Sequence, residues 1–193
     1  MANPPFDASK AVTFDLSRGQ IQKDHTESRL LVSTGALLTL CHAAGAEAAA
    51  AFARTLGESF GVAIARRFEK AGDNANEAAV EAVVEHLAGE LALGGFGALS
   101  LERWGRALVL VVDGGPDGSE GDKLLAPLLA ASVSKASKSE ARCVRLSREA
   151  HRARFLITGA KGAEKVREWL MSGMSWGEAL VRLHPRLAAG DHG

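Results

Sequence analysis

The 193-residue sequence lacks several features that particular classes of protein require. It contains no tyrosine and only two cysteines, Cys41 and Cys143, so neither a disulfide framework nor a Cys-x-x-Cys zinc site is predicted. It has no apolar run of about 18 residues, and it does not begin with the basic and apolar regions of a signal peptide. These absences predict a cytoplasmic protein that does not span a membrane, in a reducing compartment.

The chain also lacks net charge, but its charges are unevenly distributed. Lysine and arginine total 23, and aspartate and glutamate also total 23. From Ser134 onward there are 12 basic residues against 6 acidic ones, which leaves 11 against 17 in the part before it. An acidic part is therefore followed by a basic one, and this asymmetry bears on partners rather than on the fold.

Recognised catalytic motifs are absent as well. The sequence contains no G-x-S-x-G, H-E-x-x-H or G-x-G-x-x-G pattern. Cys41 and His42 are neighbours, but adjacent residues on a helix point about 100° apart and cannot form a nucleophile–base pair. His86 and Glu90 have a spacing that suits two metal ligands, yet without a third ligand an exposed ion pair or surface couple is the favoured interpretation. We expect no catalytic residue, no metal site and no cofactor.

Apolar periodicity predicts a helical first half. The first helix is expected to begin near Thr26 or Ser28 and to turn Leu30 inward, together with Leu37, Leu38 and Cys41. Two further helices are predicted over 46–70 and 76–93. Gly57 and Gly61 each cost about 1 kcal/mol relative to alanine inside a helix, which favours close packing against a neighbouring helix over room for a ligand.

Two alternating patterns predict β-hairpins over 96–113 and 141–158. A loop over 114–122 and a helix over 123–133 should separate them. The strand 106–113 is almost continuously apolar, as in strands covered on both faces. In the second hairpin, Val144 and Leu146 are expected to share the inner face with Ala153, Phe155 and Ile157.

The segment 162–185 is amphipathic and contains the capping-box pair Ser175 and Glu178. A lid over the sheet or core is the favoured interpretation, and a partner-binding helix pair that uses Trp169 and Trp176 is the alternative. The order of elements predicts one α+β domain, an antiparallel sheet of about four strands packed against a helical layer. The expected limits are an arm over 1–25, the domain over 26–185 and a tail over 186–193.

Five segments between residues 29 and 158 resemble the superfamily that joins TRAPP vesicle-tethering subunits to bacterial 4-vinyl-reductase-like, hydrocarbon-binding domains. These segments are GALLTLC (35–41), LGESFG (56–61), GFG (95–97), EARC (140–143) and RARFLI (152–157). The resemblance implies an antiparallel sheet packed on helices and a homodimer formed through the helical face. In some members a fatty-acyl chain or small hydrophobic molecule lies between helices.

The chain departs from this family at two places. Ala153 stands where many 4-vinyl-reductase-like domains have a second cysteine, and residues 69–74 contain no thiol where TRAPP subunits can be acylated. Covalent acylation at that place is therefore excluded, whereas a channel that is empty or filled non-covalently is not. Its expected lining is formed by the first two helices near Leu37, Cys41, Phe52, Leu56 and Phe60. For Cys41 by itself, an apolar core position is the favoured interpretation.

The resemblance predicts a non-enzymatic, dimeric adaptor or regulatory module, with the Arg-rich second hairpin as an alternative functional surface. Arg142, Arg145, Arg152 and Arg154 lie in this hairpin. A solvated sheet face is the favoured interpretation of these arginines. An acidic partner, such as a small GTPase by analogy with TRAPP assemblies, or an anionic membrane is the alternative. Nucleic acid has the least support, because no stacking aromatic residue or recognised binding motif accompanies the arginines.

Overall fold

The computed structural model describes residues 6–7, 11–23, 27–70, 80–116 and 118–184. Within them the chain forms two antiparallel sheets and six helices, which confirms the predicted α+β class. The strands are β1 (Val12–Asp15), β2 (Gln20–Lys23), β3 (Glu27–Arg29), β4 (Ala98–Trp104), β5 (Ala107–Asp113), β6 (Arg142–Glu149) and β7 (Arg152–Thr158). The helices are α1 (Thr34–Ala44), α2 (Ala46–Lys70), α3 (Val80–Leu93), α4 (Gly118–Ser137), α5 (Ala160–Met171) and α6 (Trp176–Leu183).

The larger sheet has the strand order β4-β5-β7-β6, and every neighbouring pair is antiparallel. Both predicted hairpins are present in it, β4 with β5 and β6 with β7. The smaller sheet has the order β1-β2-β3. Because β3 pairs with β2, this sheet crosses the predicted boundary between the arm and the domain.

Helices cover both faces of the larger sheet, and a separate apolar core lies on each face. The first core lies against α2, α3 and α4 and includes Phe60, Leu87 and Phe155. The second lies against α5 and α6 and includes Leu156 and Leu180. The predicted lid formed by the C-terminal helices is therefore confirmed, as is the capping box of Ser175 and Glu178.

Strand β5 contributes to both cores. Leu110 and Val112 belong to the first core, whereas Val109 and Val111 belong to the second. Successive side chains of a strand point to opposite faces, so an almost continuous apolar run is what a strand buried on both sides needs. This confirms the prediction made for the strand 106–113.

Helices α2 and α4 approach each other closely through the two glycines of α2. A Cβ atom on Gly57 would overlap the carbonyl oxygen of Leu128, and one on Gly61 would lie 2.7 Å from the carbonyl oxygen of Ser132. The close-packing interpretation of these glycines is confirmed. Here the helix propensity lost at glycine is offset by backbone contact that no larger residue permits.

The predicted start of the first helix is wrong. Helix α1 begins at Thr34, where the Ser33 side chain accepts a hydrogen bond of 3.3 Å from the Ala36 N–H. Residues 27–29 instead pair with β2, and Leu30 is 90% exposed rather than turned inward. The third helix is described from Val80, so its predicted start at residue 76 lies outside the described residues.

Two further predictions need correction. Helix α4 begins at Gly118, inside the segment predicted as a loop over 114–122. Val144 and Leu146 do not share a face with Phe155; they belong to the second core, whereas Phe155 belongs to the first. Both faces of β6 and β7 carry apolar residues, so alternation alone does not show which residues point the same way.

Residues 186–193, the predicted tail, lie outside the described part of the chain. Among the described helices, none combines the length and apolar character needed to cross a bilayer.

Candidate functional site

Four charged or titratable side chains meet inside the helical half. Lys23 of β2 places its Nζ 2.5 Å from Glu90 Oε2 of α3, and Arg67 of α2 places an NH1 nitrogen 2.7 Å from Glu90 Oε1. The Lys23 and Glu90 side chains are only 4% and 1% exposed. Burial of charged groups is tolerated when they are paired. Together with His86, these residues form what we call the buried ionic cluster.

His86 lies one helical turn before Glu90 and is buried as well. The prediction that His86 and Glu90 form an exposed couple is therefore wrong. Burial lowers the pKa of His86, and the positive charge of Arg67 acts in the same direction, whereas Glu85 and Glu90 oppose the shift. At neutral pH the imidazole is therefore neutral, so it offers one hydrogen-bond donor and one acceptor.

Aromatic rings surround these polar groups. The Phe6 ring lies 4.7 Å from the Arg67 guanidinium carbon, a cation–π geometry. Its edge-on neighbour is the His86 ring, at a centroid distance of 6.4 Å, and the Phe68 ring approaches His86 at 5.3 Å. Gly89 leaves the room that Phe6 needs, since a Cβ atom there would overlap the Phe6 ring. We call the space between Arg67, His86 and Gly89 the ring slot.

The ring slot, which Phe6 fills, and the buried ionic cluster place an aromatic ring beside polar side chains. Lysine and arginine donate hydrogen bonds, and a neutral imidazole can do either. Ligand sites commonly combine apolar and aromatic walls with a few polar groups of this kind. Among the described residues no group of three or more potential metal ligands occurs.

Sequence reasoning missed this site, although part of it was visible. Val83, His86, Leu87, Glu90 and Leu91 follow the spacing of one helix face, so His86 and Glu90 fall on the apolar stripe of α3. That position predicts burial. No comparable pattern marks Lys23, which lies 67 residues before its partner Glu90 in a polar segment.

The residues predicted to line a hydrophobic channel lie on α1 and α2. Leu37, Cys41 and Leu56 are half-buried and pack against the first core, and Phe60 belongs to that core. Phe52 is 42% exposed. Of these five, Phe60 comes near the buried ionic cluster, because Lys23 Nζ lies 5.9 Å from the centre of its ring.

Large apolar side chains are exposed on α1 and around it. Helix α1, which is described throughout, contains no fully buried residue. Leu40 is 66% exposed, and Leu31 and Val32 just before the helix are exposed too. Leu30, Leu31, Val32, Leu40 and Phe52 are called the exposed apolar surface below. Large apolar side chains left in water can mark an interaction site where they form one patch.

The arginines of the second hairpin are paired with carboxylates of the same chain. Arg145 and Arg148 both contact the buried Asp122, and Arg152 contacts Asp113. Arg154 contacts Glu102 and Glu149, and Arg142 contacts Glu140. The hydrogen bond from Arg152 holds the pKa of Asp113 below its ordinary value. The positive charge of the hairpin is thus largely balanced locally.

The two tryptophans predicted as partner contacts are in contact with side chains of the same chain. Trp176 packs edge-on against Trp104 at 4.8 Å and lies 5.7 Å from the Arg154 guanidinium carbon. Trp169 lies 4.9 Å from the guanidinium carbon of Arg182. Both tryptophans also pack against the second core, in the lid.

The fold can be compared with that of known proteins. No family model matches the chain, and no curated protein sequence matches it. Among solved structures, the chain is similar to the phenol-responsive sensory domain of the transcription activator PoxR, crystallised with phenol. The TM-score is 0.58 at 13% identity, over 95% of this chain and 94% of that one. At this identity the likeness concerns the fold alone.

Proposed function

We propose that this protein is a non-enzymatic regulatory module that binds a small ring compound with a polar group in its helical half. The observation that carries the proposal is the buried ionic cluster beside the ring slot. Polar groups are expensive to bury, so Lys23, Arg67, His86 and Glu90 inside a helical layer favour a binding role over simple packing. The similarity in fold to a phenol-responsive sensory domain supports the same class of ligand.

The resemblance to TRAPP subunits and 4-vinyl-reductase-like domains extends this proposal to the oligomeric state of the protein. A member of that superfamily is expected to be a homodimer that acts as an adaptor or regulator. The exposed apolar surface on and around α1 supports a dimer formed through the helical face. A second copy covering this surface would remove large leucine side chains from water, which stabilises association.

A thermal-shift titration with phenol, repeated with palmitate, tests the ligand proposal. Phenol should raise the melting temperature, since a ligand at 100 times its Kd stabilises the folded state by about 2.7 kcal/mol. His86→Leu should abolish the response to phenol, and Met171→Ala, altered on the exposed surface of the lid, should keep it. Absence of any shift, together with no co-purifying small molecule in native mass spectrometry, would contradict the proposal.

Palmitate separates the two possible locations within the helical half. A fatty-acyl chain between α1 and α2 would contact Leu37, Cys41 and Leu56 rather than the buried ionic cluster. A shift with palmitate that is lost in Leu56→Gln but kept in His86→Leu would place the ligand in the channel that the resemblance predicts. A shift with phenol that follows the opposite pattern would favour the ring slot.

Docking of a small GTPase or another acidic protein on the Arg-rich hairpin has less support. Arg152 and Arg154 already contact carboxylates of their own chain. Exposed ion pairs of this kind contribute little to stability, so the carboxylates of a strongly acidic partner could replace those of the chain itself. Charge reversal in Arg152→Glu with Arg154→Glu should then abolish capture of the partner in a pull-down, and unchanged capture would refute this alternative.

A further inference from the structure

We propose that Phe6 is a built-in competitor for the ring slot, so that a ring-shaped ligand must displace the Phe6 side chain in order to bind. This inference rests on the proposed function and names how the same site is regulated. It follows from the geometry of Phe6, whose side chain is the group of this chain that fills the slot.

Phe6 makes the contacts that a ring-shaped ligand would make. Its ring lies 4.7 Å from the guanidinium carbon of Arg67 and 6.4 Å from the centre of the His86 ring. It also lies directly against Gly89, where any side chain would overlap it. Phenol contains the same six-membered ring, so a phenol molecule cannot occupy the slot while Phe6 is there.

The contacts of Phe6 permit exchange. Phe6 is half-buried, whereas His86 and Glu90 are buried. Its ring offers no hydrogen bond to the polar groups around it, whereas the hydroxyl of phenol can donate to or accept from them. A hydroxyl group is thus the feature of phenol that the Phe6 ring lacks, and displacement requires a differential interaction of this kind.

Competition with a tethered ring lowers the apparent affinity of the ligand. When the binding-competent state is a fraction of the population, the apparent Kd rises in inverse proportion to that fraction. If the Phe6 ring fills the slot in about ten molecules for each one in which it has left, removal of this ring should lower the apparent Kd for phenol about tenfold. Displacement of Phe6, which precedes β1, requires no movement of Lys23 on β2.

The test combines calorimetric phenol titrations with a direct probe of Phe6. The full chain is prepared as wild type, as Phe6→Ala and as Phe14→Ala. The last variant is the matched control, because Phe14 lies on β1 and is exposed. A second wild-type sample carries 4-fluorophenylalanine at position 6 for ¹⁹F NMR. We expect a Kd about tenfold lower in Phe6→Ala, no change in Phe14→Ala, and a ¹⁹F resonance that moves to its solvent-exposed position as phenol saturates the protein.

Each other result overturns the inference in a distinct way. Wild-type protein that binds phenol with an unchanged ¹⁹F resonance would leave the proposed function standing and refute competition by Phe6. Binding to Phe6→Ala alone would show only that truncation created an apolar cavity, since engineered cavities bind small rings by themselves. If no sample binds phenol, both the competition and the phenol-like ligand class fail.

Discussion

The ion pair of Lys23 and Glu90 is buried, whereas the pair of Arg103 and Glu81 on the protein surface is not. This contrast allows a matched test at single residues. Glu90→Gln leaves Lys23 buried without its counter-charge, which should lower the free energy of unfolding by about 3–5 kcal/mol. Glu81→Gln should change it little, because exposed pairs are screened by water. Urea denaturation of both variants measures the difference, and equal effects would contradict the structural importance of the cluster.

The titration of His86 predicts a dependence of stability on pH. Burial holds the pKa of His86 below the value of 6.5 that applies in the unfolded chain. As the pH falls through 6.5, the unfolded chain takes up a proton that the folded protein does not, so the free energy of unfolding decreases. Above this range the His86 contribution to stability is fully present.

His86→Leu should therefore have a flatter stability profile than the wild type between pH 7.5 and 5.5, and urea midpoints at each pH provide the measurement. The pKa values of Glu102 and Asp113 are also lowered, so their ionised forms are stabilising. This contribution is lost only as the pH falls below the ordinary pKa values of 4.5 and 3.8, and it does not affect the slope between pH 7.5 and 5.5. Identical slopes for variant and wild type above pH 5.5 would show that His86 does not titrate as proposed.

At the residue scale, burial of His86 and Glu90 could have been predicted from their place on the apolar stripe of α3. Their four-residue spacing suits two metal ligands, and without a third ligand it favoured an exposed couple. That interpretation was wrong. The burial of Lys23 and the contacts of Phe6 could not be predicted from the sequence. Contacts between a polar N-terminal segment and a distant helix leave no local periodicity.

The contact between α2 and α4 carries the clearest prediction for a structural element. In Gly57→Ala, the new methyl group would overlap the Leu128 carbonyl oxygen, so the two helices must move apart. Overpacking of this kind costs about 1–3 kcal/mol, more than the gain of about 1 kcal/mol in helix propensity. Gly35→Ala in α1 is the control, because nothing lies within 4 Å of its Cβ position.

Chemical denaturation should show a lower midpoint for Gly57→Ala and an equal or higher one for Gly35→Ala. An unchanged midpoint for Gly57→Ala would mean that α2 and α4 do not touch through this glycine. The interpretation of Gly57 as a packing residue would then fail along with the prediction.

Helix α2 shows how well an element can be predicted when local patterns agree. Its observed bounds, Ala46–Lys70, are the predicted ones, because Gly45 interrupts the chain before it and apolar residues recur regularly along it. Strand β6 shows the opposite case. The ladder shifts register between Arg145 and Ser147, and both faces are buried, so the face of Val144 and Leu146 depended on packing that alternation does not encode.

For the whole molecule, the exposed apolar surface predicts self-association. Leu40→Glu places a charge where a second copy would exclude water, so it should convert a dimer into a monomer. Met171→Glu is the matched control, because Met171 is 88% exposed on α5, in the lid. Sedimentation velocity measures both. A wild-type monomer at tens of micromolar would contradict the dimer.

The class of fold could be predicted from the order of elements, since helices followed by hairpins favour an α+β domain. The presence of helices on both faces of the sheet could be predicted in part, from the apolar run in β5 and the amphipathic C-terminal segment. The three-stranded N-terminal sheet was not predicted as such. Its strands have three or four residues each, too few for a reliable alternating pattern.

The position of β5 between the two cores has a consequence for how the protein opens. Amide hydrogens in β5 are protected by its pairing with β4 and β7, so they exchange with solvent only when these strands separate beneath the helices on both faces, which approaches complete unfolding. The Phe6 ring lies outside this strand, so its proposed displacement requires no opening of β5. Loss of the Phe6 contact and loss of the native state would then be separable events, which ¹⁹F NMR at position 6 and deuterium uptake in β5 would record independently.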